Sequence, residues 1–241
     1  MYGADRNWFF VERPGSGNQG HDFWSRIRTD ANRRALIEYL KTLYRMAPYF
    51  RLHRGVDDGI VVVMKTDEYL AYPQDLRRRE LVWGMVREPP SPFAPHQRVT
   101  TRLAALLDQH VRERDLGTVL VAPMDVVLDP ENDLVLQPDV MFISHTREHI
   151  IRDFVRGAPD LVVEVTSEGT ARYDCAEKVD WYRAYGVREC WLVDPSRQSV
   201  TVIELSGERH EMEYRKGDSV RSRVLPEFSH AAAELLAEST P

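Results

Sequence analysis

The chain has 241 residues, of which 43% are hydrophobic and 29% are charged, and this balance predicts one main folded domain with a substantial core. No run of about eighteen uncharged apolar residues occurs, so we expect no membrane partner and predict a cytoplasmic protein. The formal charge of -6 argues against a protein that coats nucleic acid through bulk electrostatics, but it does not exclude a nuclease whose metal site collects carboxylates.

The first 65 residues are predicted to form an N-terminal extension that is partly helical. Residues 14–20 are rich in Gly, Ser and Pro, as linkers are. Residues 31–46 carry apolar side chains at spacings of three and four, which is the period of an amphipathic helix. Three interpretations stay open: a dimerisation or docking arm, a packing appendage, and a chain whose translation starts near Met64.

The next elements are a short helix, a hairpin and a long helix. Thr66 is a plausible N-cap of the short helix, and the hairpin is predicted to turn at Trp83 and Gly84. The long helix covers residues 96–117, where apolar residues share one face and Gly117 is the expected C-terminal stop.

Strand-like apolar runs alternate with helix-like segments through the rest of the chain. The predicted strands cover residues 118–128, 134–144, 159–166 and 189–195, and the predicted helices cover residues 146–155, 173–186 and 231–238. Residues 199–205 and 209–215 are expected to pair as an antiparallel hairpin. This order predicts an α/β fold, more fully an α+β arrangement in which helices flank a central mixed β-sheet.

The most informative single residue is Glu164, which interrupts the apolar strand LVVEV. A strand of this composition is typical of one buried on both faces of a sheet. Burying a carboxylate without a partner is costly, so the group must be protonated, paired, bound to metal or close to a strand end. A metal ligand and a salt-bridged or solvent-facing strand residue are both compatible with the pattern.

A second acidic residue, Asp139, follows Pro138 at the start of the apolar run QPDVMFI. Pro138 limits strand pairing there and predicts an edge or a kink. A Pro-Asp pair is mostly structural when it occurs alone. Two acidic residues on successive apolar strands are more specific, because a hard divalent cation needs several oxygen ligands from a rigid scaffold.

A positive charge is available on the following predicted helix, where AEKVDWY contains Lys178. Asp174, Lys178 and Trp181 lie at positions i, i+4 and i+7 and therefore share one helix face. A surface ion pair between Asp174 and Lys178 remains the alternative to a catalytic lysine.

The order of motifs from Thr66 to Ala237 resembles the Uma-type family of restriction endonucleases, within the PD-(D/E)XK nuclease superfamily. The matching segments are RELVWGMV, SPFAPHQRV, APMDVVL, QPDVMFI, GAPDLVVEVTSEGTARYD, EKVDWYRAYGVRECWLVDP and LPEFS. The resemblance implies a restriction-endonuclease-like core over residues 66–241. It further implies that Asp139 and Glu164 bind Mg²⁺ or Mn²⁺ with Glu80 as the third acidic ligand, and that these residues are catalytic together with Lys178.

Two more positions are assigned to substrate binding. Thr166 stands where the standard superfamily pattern has its lysine, a departure that is familiar in Uma-type sequences. His96 matches a recurrent family position at the head of the long helix, where the first-turn amides favour an anion such as a phosphate. A capping or hydrogen-bonding role for His96 is equally open.

The function implied by the resemblance is metal-dependent hydrolysis of phosphodiester bonds in nucleic acid, with DNA favoured as the substrate and a homodimer as a plausible assembly. The first alternative is a binding or regulatory module on the same fold, in which the site is degraded. A third hypothesis is a zinc hydrolase at His145 and His149, which are spaced one helical turn apart. That hypothesis lacks an evident third ligand and the glutamate that metalloprotease chemistry needs.

Overall fold

The computed structural model describes residues 51–54, 60–71, 78–89, 91–166 and 171–236. All of these residues lie in the unit Arg51–Pro241. The linker and the helix predicted within the first 50 residues fall outside the described residues, so the predicted extension and its boundary at residue 65 remain predictions. None of the helices in the described part of the chain is long and apolar enough to cross a membrane.

The described elements follow one another in this order: β1 (Arg51–Arg54), β2 (Ile60–Val63), α1 (Thr66–Leu70), β3 (Glu80–Val82), β4 (Met85–Arg87), α2 (Ala94–Glu113), β5 (Gly117–Val121), β6 (Val126–Asp129), β7 (Leu134–Leu136), β8 (Val140–Ser144), a 3-10 helix (His145–Ile150), β9 (Val155–Arg156), β10 (Leu161–Val165), α3 (Ala171–Ala184), β11 (Glu189–Asp194), β12 (Ser199–Glu204), β13 (His210–Arg215), β14 (Ser219–Arg221), β15 (Ser229–Ala231) and α4 (Ala232–Leu236).

Two mixed sheets dominate this unit. The larger has six strands in the order β13-β12-β11-β10-β8-β5, and the smaller has five in the order β4-β3-β7-β6-β9. In the larger sheet β10 and β11 are parallel and the other pairs are antiparallel. In the smaller sheet β6 and β9 are the parallel pair. The predicted mixed sheet is therefore confirmed, but as two sheets instead of one.

Strand β10 is buried on both faces, as its composition predicted. Alternate residues of a strand point to opposite faces of the sheet. Leu161, Val163 and Val165 belong to the apolar cluster that packs against α2. Val162 belongs to a second cluster, which includes residues of α3 and of the smaller sheet. Glu164 lies on the same face as Val162, so its carboxylate points toward α3 and the smaller sheet.

Two of the predicted strands are wrong. Each was predicted as one strand, but each is divided into two strands that belong to different sheets. Residues 118–128 divide into β5 of the larger sheet and β6 of the smaller one, and residues 134–144 divide into β7 and β8. Proline stands in each break, at Pro123 and Pro138, and has no N–H to continue a ladder. The kink predicted at Pro138 is thus present, and it carries the chain from one sheet to the other.

Three further expectations about element ends are corrected. Lys65, not Thr66, is the N-cap of α1, and the Thr66 hydroxyl instead donates to Asp133 at 3.2 Å. Helix α2 ends at Glu113, so Gly117 does not terminate it but begins β5. The predicted helix over residues 146–155 is a 3-10 helix followed by β9. The hairpin at Trp83 and Gly84 and the β12-β13 hairpin are confirmed.

Candidate active site

Glu164 and Asp139 meet because strands β10 and β8 are antiparallel neighbours. Val163 of β10 pairs with Val140 of β8. Asp139 directly precedes β8 and Glu164 directly follows Val163, so this register brings both residues to the same end of the two strands. Both side chains are buried. The two acidic residues that the sequence singled out therefore lie at one end of the sheet, where Arg78 contacts both carboxylates.

Asp139 is held by three donors. The backbone N–H of Val165 donates to Oδ2 at 2.7 Å, Nη1 of Arg78 lies 2.6 Å from Oδ1, and Nε2 of His96 lies 3.4 Å from Oδ2. Burial alone would raise the pKa of Asp139, but the His96 contact and the Arg78 charge outweigh burial and lower that pKa. The carboxylate is consequently ionised at neutral pH.

Lys178 extends from α3 between two carboxylates. Its Nζ lies 2.6 Å from Oε1 of Glu80 and 3.2 Å from Oε1 of Glu164, and only 12% of the side chain is exposed. Burial alone would lower the pKa of Lys178, but the charges of Glu164 and Glu80 outweigh it and raise that pKa. The ammonium group is thus an internal cation. Lys178 is therefore not a surface residue. The side chain of Asp174, the alternative partner of Lys178, lies outside the described part.

Glu80 is contributed by the smaller sheet, where it is the first residue of β3. Its Oε1 accepts the backbone N–H of Gln137 at 3.1 Å, in the break between β7 and β8. The Gln137 side chain donates to Asp125 at 2.9 Å, and Asp125 also accepts the Tyr69 hydroxyl at 3.1 Å. This buried network fixes the break that leads into Asp139, so it positions two of the three carboxylates.

Tyr182 belongs to the cluster, although the sequence reasoning did not identify it. Its hydroxyl donates to Oε1 of Glu164 at 2.6 Å. It stands one helical turn after Lys178, so both side chains reach the same carboxylate from α3. Burial raises the pKa of Glu164, while the Lys178 charge opposes that shift. The i, i+4 pairing of a tyrosine with the predicted lysine is the signal that could have revealed it.

Arg78 is the second member that the sequence reasoning missed. Its guanidinium lies 2.6 Å from Asp139 and 3.6 Å from Oε2 of Glu164, and it also donates to the carbonyl of Gln137. Burial alone would lower the pKa of Arg78, but Asp139 and Glu164 raise it. Arg78 lies in the run RRRE, and such basic runs usually face solvent. No sequence pattern therefore distinguished it from an ordinary surface arginine.

The two predicted substrate-binding residues differ in position. His96, near the start of α2, is buried and lies against Asp139, with Nδ1 at 3.4 Å from the Thr100 hydroxyl. It is therefore part of the cluster. Thr166 follows β10, and both its N–H and its hydroxyl donate to the carbonyl of Val193, at 2.8 and 3.2 Å. Its hydroxyl is bonded to the neighbouring strand rather than to the carboxylates.

In the histidine pair considered for zinc, His145 contacts two carboxylates of the chain. His145 has Nε2 at 2.9 Å from Asp115 and Nδ1 at 3.2 Å from Glu148, and hydrogen bonds to these carboxylates raise its pKa. The pair lies on a 3-10 helix, where residues four apart do not share a face as they do in an α-helix. Nothing in this arrangement supports the zinc hypothesis.

The three carboxylates have the chemistry that Mg²⁺ and Mn²⁺ prefer, since they are oxygen ligands on rigid elements. Their arrangement, however, is one of ion pairs: Lys178 lies between Glu80 and Glu164, and Arg78 lies between Asp139 and Glu164. Across the described ranges, no three or more His, Cys, Asp or Glu side chains are grouped so as to hold a metal ion. The donor types fit a divalent ion, but in this arrangement Lys178 and Arg78 pair with the carboxylates that would bind it.

The fold has a counterpart among solved structures. A crystal structure of a protein from Anabaena variabilis ATCC 29413, described as "a putative nuclease belonging to DUF820", is similar to this chain with a TM-score of 0.60. The similarity covers 72% of this chain and 97% of that one at 19% sequence identity, a level at which it establishes the fold alone.

The family follows from the sequence itself. The Uma2 family, described as "Putative restriction endonuclease", matches residues 66–235, which is more than half of the chain. The chain belongs to the Uma2 family, and the resemblance noted in its motifs is confirmed. No curated protein matches the sequence.

Proposed function

We propose that this protein is a metal-dependent endonuclease that hydrolyses phosphodiester bonds in DNA, with Glu80, Asp139, Glu164 and Lys178 as its catalytic residues. One observation carries the proposal. Four groups from β3, the β7-β8 break, β10 and α3 converge in one buried cluster, although they are far apart in sequence. A structural ion pair needs two such groups, whereas phosphodiester hydrolysis uses carboxylates and a cation together.

Asp139 and Glu164, with Glu80, are the residues that would hold Mg²⁺ or Mn²⁺. A bound divalent ion polarises the phosphate and lowers the pKa of a water molecule, so no protein nucleophile is required. The chain's own donors orient the ligands: the Val165 N–H and His96 fix Asp139, and the Tyr182 hydroxyl fixes Glu164.

Lys178 supplies the positive charge. Its ammonium keeps its proton because two carboxylates surround it, so it can stabilise the negative charge that develops on a phosphate in the transition state. Its position on a helix packed against the sheet fixes the direction from which this charge acts.

A second candidate is the binding module with a degraded site. The observation that favours it is the guanidinium of Arg78 between Asp139 and Glu164, since a cation of the chain itself already pairs with these carboxylates.

Cleavage assays separate the two candidates. Supercoiled plasmid, single-stranded DNA and RNA are incubated with the full-length protein in Mg²⁺, in Mn²⁺ and in EDTA. We expect cleavage of DNA only with metal, and a loss of about 100-fold or more for Lys178→Met. The matched control is Lys216→Met, which removes an exposed lysine after β13 and should cleave as wild type does. Absence of cleavage by the wild type on all substrates, together with retained DNA binding, would establish the binding module.

A further inference from the structure

The guanidinium of Arg78 lies between the carboxylates of Asp139 and Glu164. Its Nη1 lies 2.6 Å from Oδ1 of Asp139, and its Nη2 lies 3.6 Å from Oε2 of Glu164. These are the two carboxylates that the antiparallel register brings together. The guanidinium thus occupies the space between the two residues assigned as metal ligands.

The charges in the cluster favour exchange of the guanidinium for a divalent ion over binding of the ion beside it. Glu80, Asp139 and Glu164 contribute three negative charges when ionised, and Arg78 and Lys178 contribute two positive ones. The sum over these five groups is -1. Exchange of the guanidinium for a divalent ion brings the sum to zero, whereas addition of the ion beside Arg78 gives +1 and places two cations in contact within a buried site.

The hydrogen bonds of the Arg78 guanidinium are incomplete, although Nη2 also donates to the carbonyl of Gln137. Its Nε is buried and has no hydrogen-bond acceptor among the described residues. A buried donor without an acceptor is costly, so the bound position of this side chain is only partly compensated. The side chain is 21% exposed, compared with 12% for Lys178, and it comes from the segment before β3 rather than from a helix. Of the two cations in the cluster, Arg78 therefore has the more exposed side chain and the donor that is unpartnered among the described residues.

We propose that Arg78 is a resident cation that competes with the divalent ion for Asp139 and Glu164, so that metal binding requires release of its guanidinium. The inference rests on the proposed metal site. Arg78 then offsets part of the negative charge of the cluster until the divalent ion displaces its guanidinium.

The test is calorimetric titration of Mn²⁺ into the full-length wild type, Arg78→Gln, Arg78→Lys and Arg221→Gln. Arg78→Gln should bind Mn²⁺ at least tenfold more tightly than the wild type, because the competitor is absent. Arg78→Lys keeps a competing charge without the paired contacts and should lie between the two. Arg221→Gln removes an exposed arginine of β14 and the same unit of charge, and should match the wild type.

Thermal unfolding in EDTA and in Mn²⁺ supplies a readout that does not depend on activity. Arg78→Gln should unfold at a lower temperature than the wild type in EDTA and should gain more from Mn²⁺, since the ion then neutralises carboxylates that have lost their partner. If Arg78→Gln does not fold in EDTA, Arg78→Lys provides the same comparison.

The outcomes separate this inference from the proposed function. Equal Mn²⁺ affinity in wild type and Arg78→Gln, or weaker binding in the variant, overturns the competition even if the wild type cleaves DNA. Absence of Mn²⁺ binding in all four proteins overturns both the competition and the metal dependence. Tighter binding in Arg78→Gln without cleavage by any of the proteins supports the competition and overturns the nuclease.

Discussion

The hydroxyl of Tyr182 donates to Oε1 of Glu164 across 2.6 Å, in the interior of the domain. Tyr182→Phe keeps the ring and removes the donor, which leaves a buried carboxylate short of one partner. We expect the free energy of unfolding to fall by about 1–3 kcal/mol, measured by urea denaturation at neutral pH in EDTA. Tyr185→Phe is the control, because that hydroxyl also donates to a carboxylate, Asp129, but in a partly exposed place. A similar loss in both variants would contradict a special role for the buried bond.

Lys178 is expected to matter for stability as well as for the proposed activity. Removing it as Lys178→Met leaves Glu80 and Glu164 buried beside each other without their shared cation, which should lower the free energy of unfolding by about 3–5 kcal/mol in EDTA. Lys216→Met should change it by less than about 0.5 kcal/mol. In a double-mutant cycle, the loss for Lys178→Met should be smaller in the Glu80→Gln background, because less unpaired charge remains there. Additive losses would mean that the 2.6 Å contact contributes nothing.

His110 predicts a pH dependence outside the site. It is buried in α2, its Nε2 lies 2.9 Å from the carbonyl of Pro226, and burial lowers its pKa. Below the ordinary pKa of about 6.5, the unfolded chain therefore binds a proton that the folded chain does not bind. Stability should fall as the pH drops from 7.5 through 6.5, down to the lower pKa of the folded state. In urea unfolding at pH 7.5 and 5.5, His110→Gln should lose this part of the pH dependence, whereas His149→Gln, at an exposed position, should retain it.

Gly117 is predicted to tolerate no side chain. Its φ is +149°, and an added Cβ would lie 2.1 Å from the carbonyl oxygen of Ile143, a backbone atom that cannot move aside alone. Gly117→Ala should lower the free energy of unfolding by more than about 2 kcal/mol, because it adds a steric clash to an unfavourable backbone conformation. Gly217→Ala, where no atom lies within 4 Å of the added Cβ, is the matched control and should be nearly neutral. Equal stability of the two variants would show that β5 can shift away from β8.

The individual members of the cluster could be predicted from the sequence because each stands out by an anomaly in its surroundings or by its place in a family motif. Glu164 is a charge in an apolar strand, Asp139 follows a proline at a strand start, and Lys178 fits the family motif. Their chemical roles remain predictions. The structure adds that these side chains lie close together, which depends on the antiparallel pairing of β8 and β10. No local sequence pattern specifies which strands become neighbours.

The members that were missed are those without a local anomaly. Arg78 belongs to a basic run of the kind that usually faces solvent, and Tyr182 looks like one more apolar position of an amphipathic helix. The same limit explains the strands that had to be divided at Pro123 and Pro138. Each apolar run continues past its proline, so hydrophobicity alone cannot reveal that the chain changes sheets there.

Because Glu80 belongs to the smaller sheet and Lys178 to α3, the proposed activity can arise only late in the synthesis of the chain. Glu80 and Lys178 are 98 positions apart, and they meet only when both sheets and α3 have packed. During translation, Glu80 is added to the chain well before Lys178. A partly synthesised chain therefore lacks Lys178, and the proposed nuclease activity requires that synthesis has passed α3.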